Sequence, residues 1–140
     1  MVRVVIDTNV LVSALLDHRK PRRLVLKLLE EHTVILSRQM LAELADVLSR
    51  DKFNIKTGQV QKYLFCLVKK SKIISPRSRF KVISEDSDDD IVLNTAYNGK
   101  ADYIVTGDRH LLSLKEFKNI KIVNVAQMLE ILKQEKRNKA

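Results

Sequence analysis

Along this chain, short runs of β-branched and aliphatic residues alternate with longer stretches whose apolar positions recur every three or four residues. The first run, Val2–Ile6, is what a strand covered on both faces requires. Asp7-Thr8-Asn9 follows with N-cap chemistry, which predicts a short helix over Val10–Leu16. His18–Arg23 is basic and interrupted by Pro21, and Arg22–His32 reads as a helix carrying Leu24, Val25, Leu28 and Leu29. A strand over Thr33–Leu36 leads to Ser37, a cap for a helix over Arg38–Arg50. Further helices are predicted over Thr57–Lys72 and Asp88–Asn98, the second stopped by Gly99 at C′. Short strands are predicted at Lys72–Ser75, Ala101–Thr106 and Ile120–Val125, with a short helix over His110–Phe117. A terminal helix, Ala126–Lys136, is followed by a frayed basic tail.

Strands alternating with helices predict a parallel sheet with helices on both faces. The 140 residues suit one domain, placed at 1–136 with a disordered tail at 137–140. The single cysteine, Cys66, excludes an internal disulfide and sits in an apolar run that reads as packing. No apolar stretch is long enough to span a bilayer, and the N-terminus lacks a signal-peptide core, so a cytoplasmic protein is expected. The net charge is +9, gathered at Arg19–Arg23, Lys69–Lys72, Arg77–Lys81 and Lys133–Lys139. Such a surface attracts nucleic acid, although it also serves solubility. Aromatic residues at 5% and the absence of Trp argue against a base-stacking platform.

In open parallel sheets, sites form at the carboxyl ends of the strands. Asp7 directly follows the first strand, and Asp108 follows Tyr103-Ile104-Val105-Thr106-Gly107. Each acid alone reads first as a helix cap; together they put two carboxylates on one rim. Glu43 lies at the edge of a stripe drawn through Leu41, Leu44 and Leu48, with Met40 and Val47 as its own helical neighbours. In Glu85–Asp90, part of the negative charge suits a helix start. Asp89 is the acid that continues the inward stripe of Val92, Leu93 and Ala96; Asp90 points to the side, and Asp86 is an additional candidate. Several carboxylates held together need a cation, and oxygen ligands select Mg²⁺ or Mn²⁺.

Val5-Ile6-Asp7-Thr8-Asn9-Val10-Leu11, Glu43, Asp86-Ser87-Asp88-Asp89-Asp90 and Ala101-Asp102-Tyr103-Ile104-Val105-Thr106-Gly107-Asp108 together resemble PIN-domain proteins, most closely the VapC-like toxins of toxin–antitoxin systems. The resemblance spans nearly the whole chain. It implies a three-layer αβα fold with a five-stranded, mostly parallel sheet, and Mg²⁺- or Mn²⁺-dependent endoribonuclease activity. It places the acidic quartet on Asp7, Glu43, Asp89 and Asp108, with Asn9 and Thr106 in support. RNA is the expected substrate, an antitoxin and a homodimer the expected partners, and Arg109 a candidate contact to the RNA backbone. His110 reads as a surface residue. The alternatives are a non-catalytic PIN-like scaffold or a structure-specific DNA nuclease. A haloacid-dehalogenase-type phosphatase is disfavoured by Asn9, which stands where that chemistry needs a second Asp. With three glycines in the chain, nothing resembles a phosphate-cradling glycine-rich loop.

Overall fold

The computed structural model describes residues 1–77 and 87–139. Six strands form one sheet: β1 (Arg3–Ile6), β2 (Thr33–Ser37), β3 (Lys72–Ile74), β4 (Tyr103–Val105), β5 (Glu116–Phe117) and β6 (Ile120–Val123). Their order is β3-β2-β1-β4-β6-β5, parallel except for the β5–β6 pair. The helices are α1 (Thr8–Leu16), α2 (Lys20–Glu31), α3 (Arg38–Leu48), α4 (Thr57–Lys70), α5 (Ser87–Asn98), α6 (Arg109–Leu114) and α7 (Val125–Lys139). Val4, Val5 and Ile6 are all fully buried, so both faces of the central strand are covered. This is the αβα arrangement expected of a β-branched run with no alternation.

The sheet has six strands rather than the expected five. The extra one, β5, lies where a helix to Phe117 was predicted. Helix α6 stops at Leu114 because Lys115 takes φ 61°. Lys118 and Asn119, both at positive φ, then turn the chain so that Phe117 pairs with Ile120. Two central residues of positive φ define the type I′ hairpin, whose twist matches that of the strands it joins.

Other boundaries moved as well. Helix α2 starts at Lys20, because Pro21 in the first turn sacrifices no intrahelical hydrogen bond. Arg22 then leaves the basic patch: Nε donates to the Ala14 carbonyl at 2.9 Å and Nη2 to that of Leu15 at 2.6 Å, closing the end of α1. Helix α7 continues through Lys139, over residues given to the tail.

Gly99 is not the C′ residue of α5. The left-handed position belongs to Lys100 (φ 55°), whose N–H donates to the Tyr97 carbonyl while that of Ala101 donates to Ala96. That pair of bonds is a Schellman motif with lysine at C′. Gly99 is needed for space instead: a Cβ there would lie 2.6 Å from Ile35 Cγ2 and 3.0 Å from the Thr95 carbonyl.

The buried face of α3 runs through Met40, Leu44 and Leu48, with Leu41 only half-buried. The stripe is thus rotated toward Glu43 relative to expectation. On α4, Val60 and Leu67 are buried and Cys66 half-buried, while Phe65 and Val68 face outward at 68% and 50% exposure.

Candidate active site

Strand β1 pairs with β2 on one side and β4 on the other, and the connections leave it in opposite directions. Between the carboxyl ends of β1 and β4 the following loops diverge and open a crevice. A cavity of about 280 Å³ lies there, lined by Asp7, Thr8, Asn9, Val12, Glu43, Val47, Asp89 and Asp108. All four carboxylates of the expected quartet meet in this space, delivered by four different elements.

Asp7 is the N-cap of α1, with extended backbone (φ −65°, ψ 152°), and its own N–H continues the ladder to the Val105 carbonyl. Its Oδ1 accepts from the Thr8 N–H at 2.7 Å. Its Oδ2 accepts from the Thr106 hydroxyl at 2.7 Å and from Asn9 Nδ2 at 3.3 Å. Thr106 is fully buried, and its Oγ1 also accepts from the Asp108 N–H at 3.0 Å. The hydroxyl thus holds the first acid while positioning the backbone of the last. Asn9 repeats the device: its Oδ1 accepts from the Gly107 N–H at 3.2 Å. The two strand-end loops are stitched by one hydroxyl and one amide.

Asp108 caps α6, with Oδ1 accepting from His110 N–H at 2.7 Å and Leu111 N–H at 3.4 Å. Capping and lining the site are therefore compatible for both acids, since a carboxylate offers about four acceptor positions. Glu43 is half-buried, with Thr8 Oγ1 at 3.5 Å from its Oε2. Asp89, on the first turn of α5, is buried and lines the cavity. Its neighbour Asp90 is half-buried and is not among the lining residues, and its carbonyl accepts from Asn94 Nδ2 at 2.7 Å. Asp86 lies outside the described residues, as does the Asp88 side chain. Arg109 is exposed at the first position of α6, next to Asp108.

Behind the site, the Tyr63 hydroxyl of α4 donates to the Leu11 carbonyl at 2.6 Å, and its burial raises the phenol's pKa. It ties the helix that starts at Asp7 to the outer layer.

Two residues gained importance that the sequence did not give them. Thr8 is buried and faces Glu43. His110 brings a ring nitrogen into a group with carboxylate oxygens of Asp89 and Asp108, all within 4.8 Å of one another. Only its two-residue spacing from Asp108 hinted at this.

The donor set suits a divalent cation. Four carboxylates around one small cavity repel one another, and a cation among them relieves that cost. Hard oxygen donors fit Mg²⁺ or Mn²⁺. The fold and the site together define an α/β domain with an acidic crevice at a topological switch point.

Comparison with known proteins gives the family. The model of the PIN domain matches residues 3–110, and the chain belongs to the PIN-domain family. It is 35% identical over 130 residues to the uncharacterized protein MJ1680 of Methanocaldococcus jannaschii, covering 89% of this chain and 83% of that one. Among solved structures it resembles VapBC2 from Rickettsia felis, crystallised bound to a DNA fragment from their promoter. There the TM-score is 0.62 at 19% identity, over 87% of this chain and 98% of that one. It also resembles PAE2754 from Pyrobaculum aerophilum, with TM-score 0.64 at 17% identity, over 95% and 90% of the two chains. No helix among the described residues is long and apolar enough to cross a membrane.

Proposed function

We propose that this protein is a Mg²⁺- or Mn²⁺-dependent endoribonuclease that acts in the cytoplasm as the toxin of a toxin–antitoxin pair. The observation that carries the proposal is the convergence of Asp7, Glu43, Asp89 and Asp108 on one cavity at the carboxyl rim. The choice of RNA rests on the resemblance to VapC-like toxins, and the antitoxin on the likeness to a VapBC complex. A homodimer through α4 belongs to the same reading, with Phe65 and Val68 as its exposed apolar residues.

In this scheme Asp7, Asp89 and Asp108 hold the metal, and Glu43 binds it directly or through water. When bound, a divalent ion lowers the pKa of water and neutralises charge on a phosphoryl group. The protein's own part is positioning. Thr106, Asn9 and the Thr8 N–H keep the Asp7 carboxylate from rotating away. The Asp108 carboxylate is held by the first turn of α6. Glu43 is carried by helix α3 rather than by a loop. Arg109, the exposed residue after Asp108, would offer a guanidinium suited to bidentate phosphate contact.

The test is incubation of the purified protein with single-stranded RNA and, separately, with DNA, each with Mn²⁺, Mg²⁺ or EDTA. RNA cleavage that EDTA abolishes is expected. Asp108→Asn is the informative variant, since Asn caps a helix as well as Asp does. It should fold normally and lose about a hundredfold or more in rate, as expected when a metal that supplies several kcal/mol loses a ligand charge. Full activity in folded Asp108→Asn, or cleavage indifferent to EDTA, overturns the proposal. DNA cleavage without RNA cleavage moves it to a DNA nuclease.

A further inference from the structure

The scheme above uses four acids and leaves His110 idle, yet among the described residues His110 is grouped with two of them, Asp89 and Asp108, although it does not itself line the cavity. Its position is built into the fold. Leu111 is fully buried and anchors α6, while the backbone N–H of His110 is tied to Asp108 Oδ1 at 2.7 Å. The imidazole and the Asp108 carboxylate therefore rise from the same capped turn, facing Asp89 on the first turn of α5. One ring nitrogen and one oxygen from each acid lie within 4.8 Å of one another. Two donors each about 2.1 Å from a shared ion are at most about 4.2 Å apart. The 4.8 Å bound lies just above that limit, so the three donors stand near ligation distance.

We infer that His110 is a ligand to the ion held by Asp89 and Asp108, and that it sets which metal the site prefers. The inference rests on the metal-site reading above and sharpens it. A cluster of oxygen donors alone suits Mg²⁺, which keeps its waters and tolerates little departure from octahedral geometry. An imidazole nitrogen gains little with Mg²⁺ but favours the later first-row ions, Ni²⁺, Cu²⁺ and Zn²⁺ among them. The site thus becomes a mixed centre of carboxylates and one imidazole. A surface histidine with no such role leaves metal selectivity untouched when it is replaced.

The experiment is calorimetric titration of untagged, EDTA-stripped protein with Zn²⁺ alone and with Mg²⁺ alone, for the unmodified chain, His110→Gln and Asp108→Asn. Glutamine at an exposed position leaves the fold intact, which thermal melting checks. His110→Gln should weaken Zn²⁺ binding roughly tenfold or more and change Mg²⁺ binding less than about twofold, because only the later ion profits from the imidazole. Long-range ¹H–¹⁵N spectra of the unmodified protein with Zn²⁺ should show a coordination shift at one ring nitrogen of His110. Equal Zn²⁺ affinity in His110→Gln, or an unshifted His110 ring, overturns the inference while leaving the carboxylate site standing. Unchanged binding of both ions in Asp108→Asn overturns the metal-site reading itself, and this inference with it.

Discussion

The two ends of the sheet handle charge differently. At the amino-terminal rim, a basic side chain meets the groups that satisfy it. The Arg3 guanidinium donates to the Gly99 carbonyl at 2.7 Å and 3.3 Å and to that of Lys100 at 3.2 Å, closing the end of α5. The Arg3 N–H donates to Asp102 Oδ2 at 2.9 Å, and the Asp102 N–H returns to the Arg3 carbonyl at 2.7 Å. At the carboxyl-terminal rim, the hydrogen bonds that hold Asp7 and Asp108 include a hydroxyl, a side-chain amide and three backbone N–H groups, all neutral. Neutral donors fix a carboxylate in place without cancelling its charge. A rim built in the first way serves the fold, and a rim built in the second way keeps negative charge for a ligand. Changes at the first should cost stability and spare metal binding. Changes at the second should reach metal binding.

The largest stability effect is expected from Gly99→Ala. The new Cβ would lie 2.6 Å from Ile35 Cγ2, a branch methyl of a fully buried strand residue with little rotamer freedom. It would also press on the Thr95 carbonyl at 3.0 Å, so backbone rather than a flexible chain end must give way. Overpacking of this kind costs about 1–3 kcal/mol, and the upper part of that range is expected here. Chemical denaturation should show the loss, while Mn²⁺ affinity of the folded protein stays as it was. A loss of Mn²⁺ affinity in folded Gly99→Ala would join the two rims into one unit and remove the distinction.

Thr106→Val comes next and probes the other rim. Valine keeps the shape but removes the donor to Asp7 Oδ2 and the acceptor for the Asp108 N–H. Leaving buried polar groups unsatisfied costs about 1–3 kcal/mol, and the lower half is expected because Asn9 still reaches Asp7. Unlike Gly99→Ala, this change should also weaken Mn²⁺ binding, and Thr106→Ser should restore most of it. Wild-type Mn²⁺ affinity in Thr106→Val would show that the neutral donors do not hold the acids in place.

The same contrast explains how much was legible in the sequence. The central strands were, because a β-branched run between polar motifs has few other ways to be buried. Asp7 and Asp108 were legible as rim acids, and both cap helices while lining the cavity. Asp89 separated from Asp90 by helical spacing, which reports burial directly. The rest was hidden either in what an element meets in space or in backbone conformations that left no residue signal. Gly99 looked like a C′ glycine because a glycine at a helix end usually is one; its real constraint is Ile35, distant in sequence. The β5–β6 turn uses Lys118-Asn119 in place of the Asn-Gly signal, so its positive φ values left little trace. His110 is solvent-exposed on a short helix, as the sequence suggested; what the chain did not show is that α5 brings Asp89 beside it.

Lys100 gives the smallest effect and the finest test of the amino-terminal rim. Its φ of 55° is a conformation that costs an L-residue about 1–2 kcal/mol. The turn persists because it closes α5 through the Lys100 and Ala101 N–H groups, and because Arg3 holds the carbonyls of Gly99 and Lys100. Lys100→Gly removes the strain and keeps every one of those backbone bonds. Part of the gain is offset, since glycine frees the unfolded chain by about 0.4–1 kcal/mol. A net stabilisation of about 0.5–1 kcal/mol follows, which for a chain of this size raises the melting temperature by roughly 2–4 °C. The Mn²⁺ response should not change, because the residue sits at the far end of the sheet from the acids. A melting temperature that stays the same or falls would mean that the aliphatic stem of Lys100 returns by packing what its backbone loses. The amino-terminal rim would then rest on side-chain cover as much as on the Arg3 clamp.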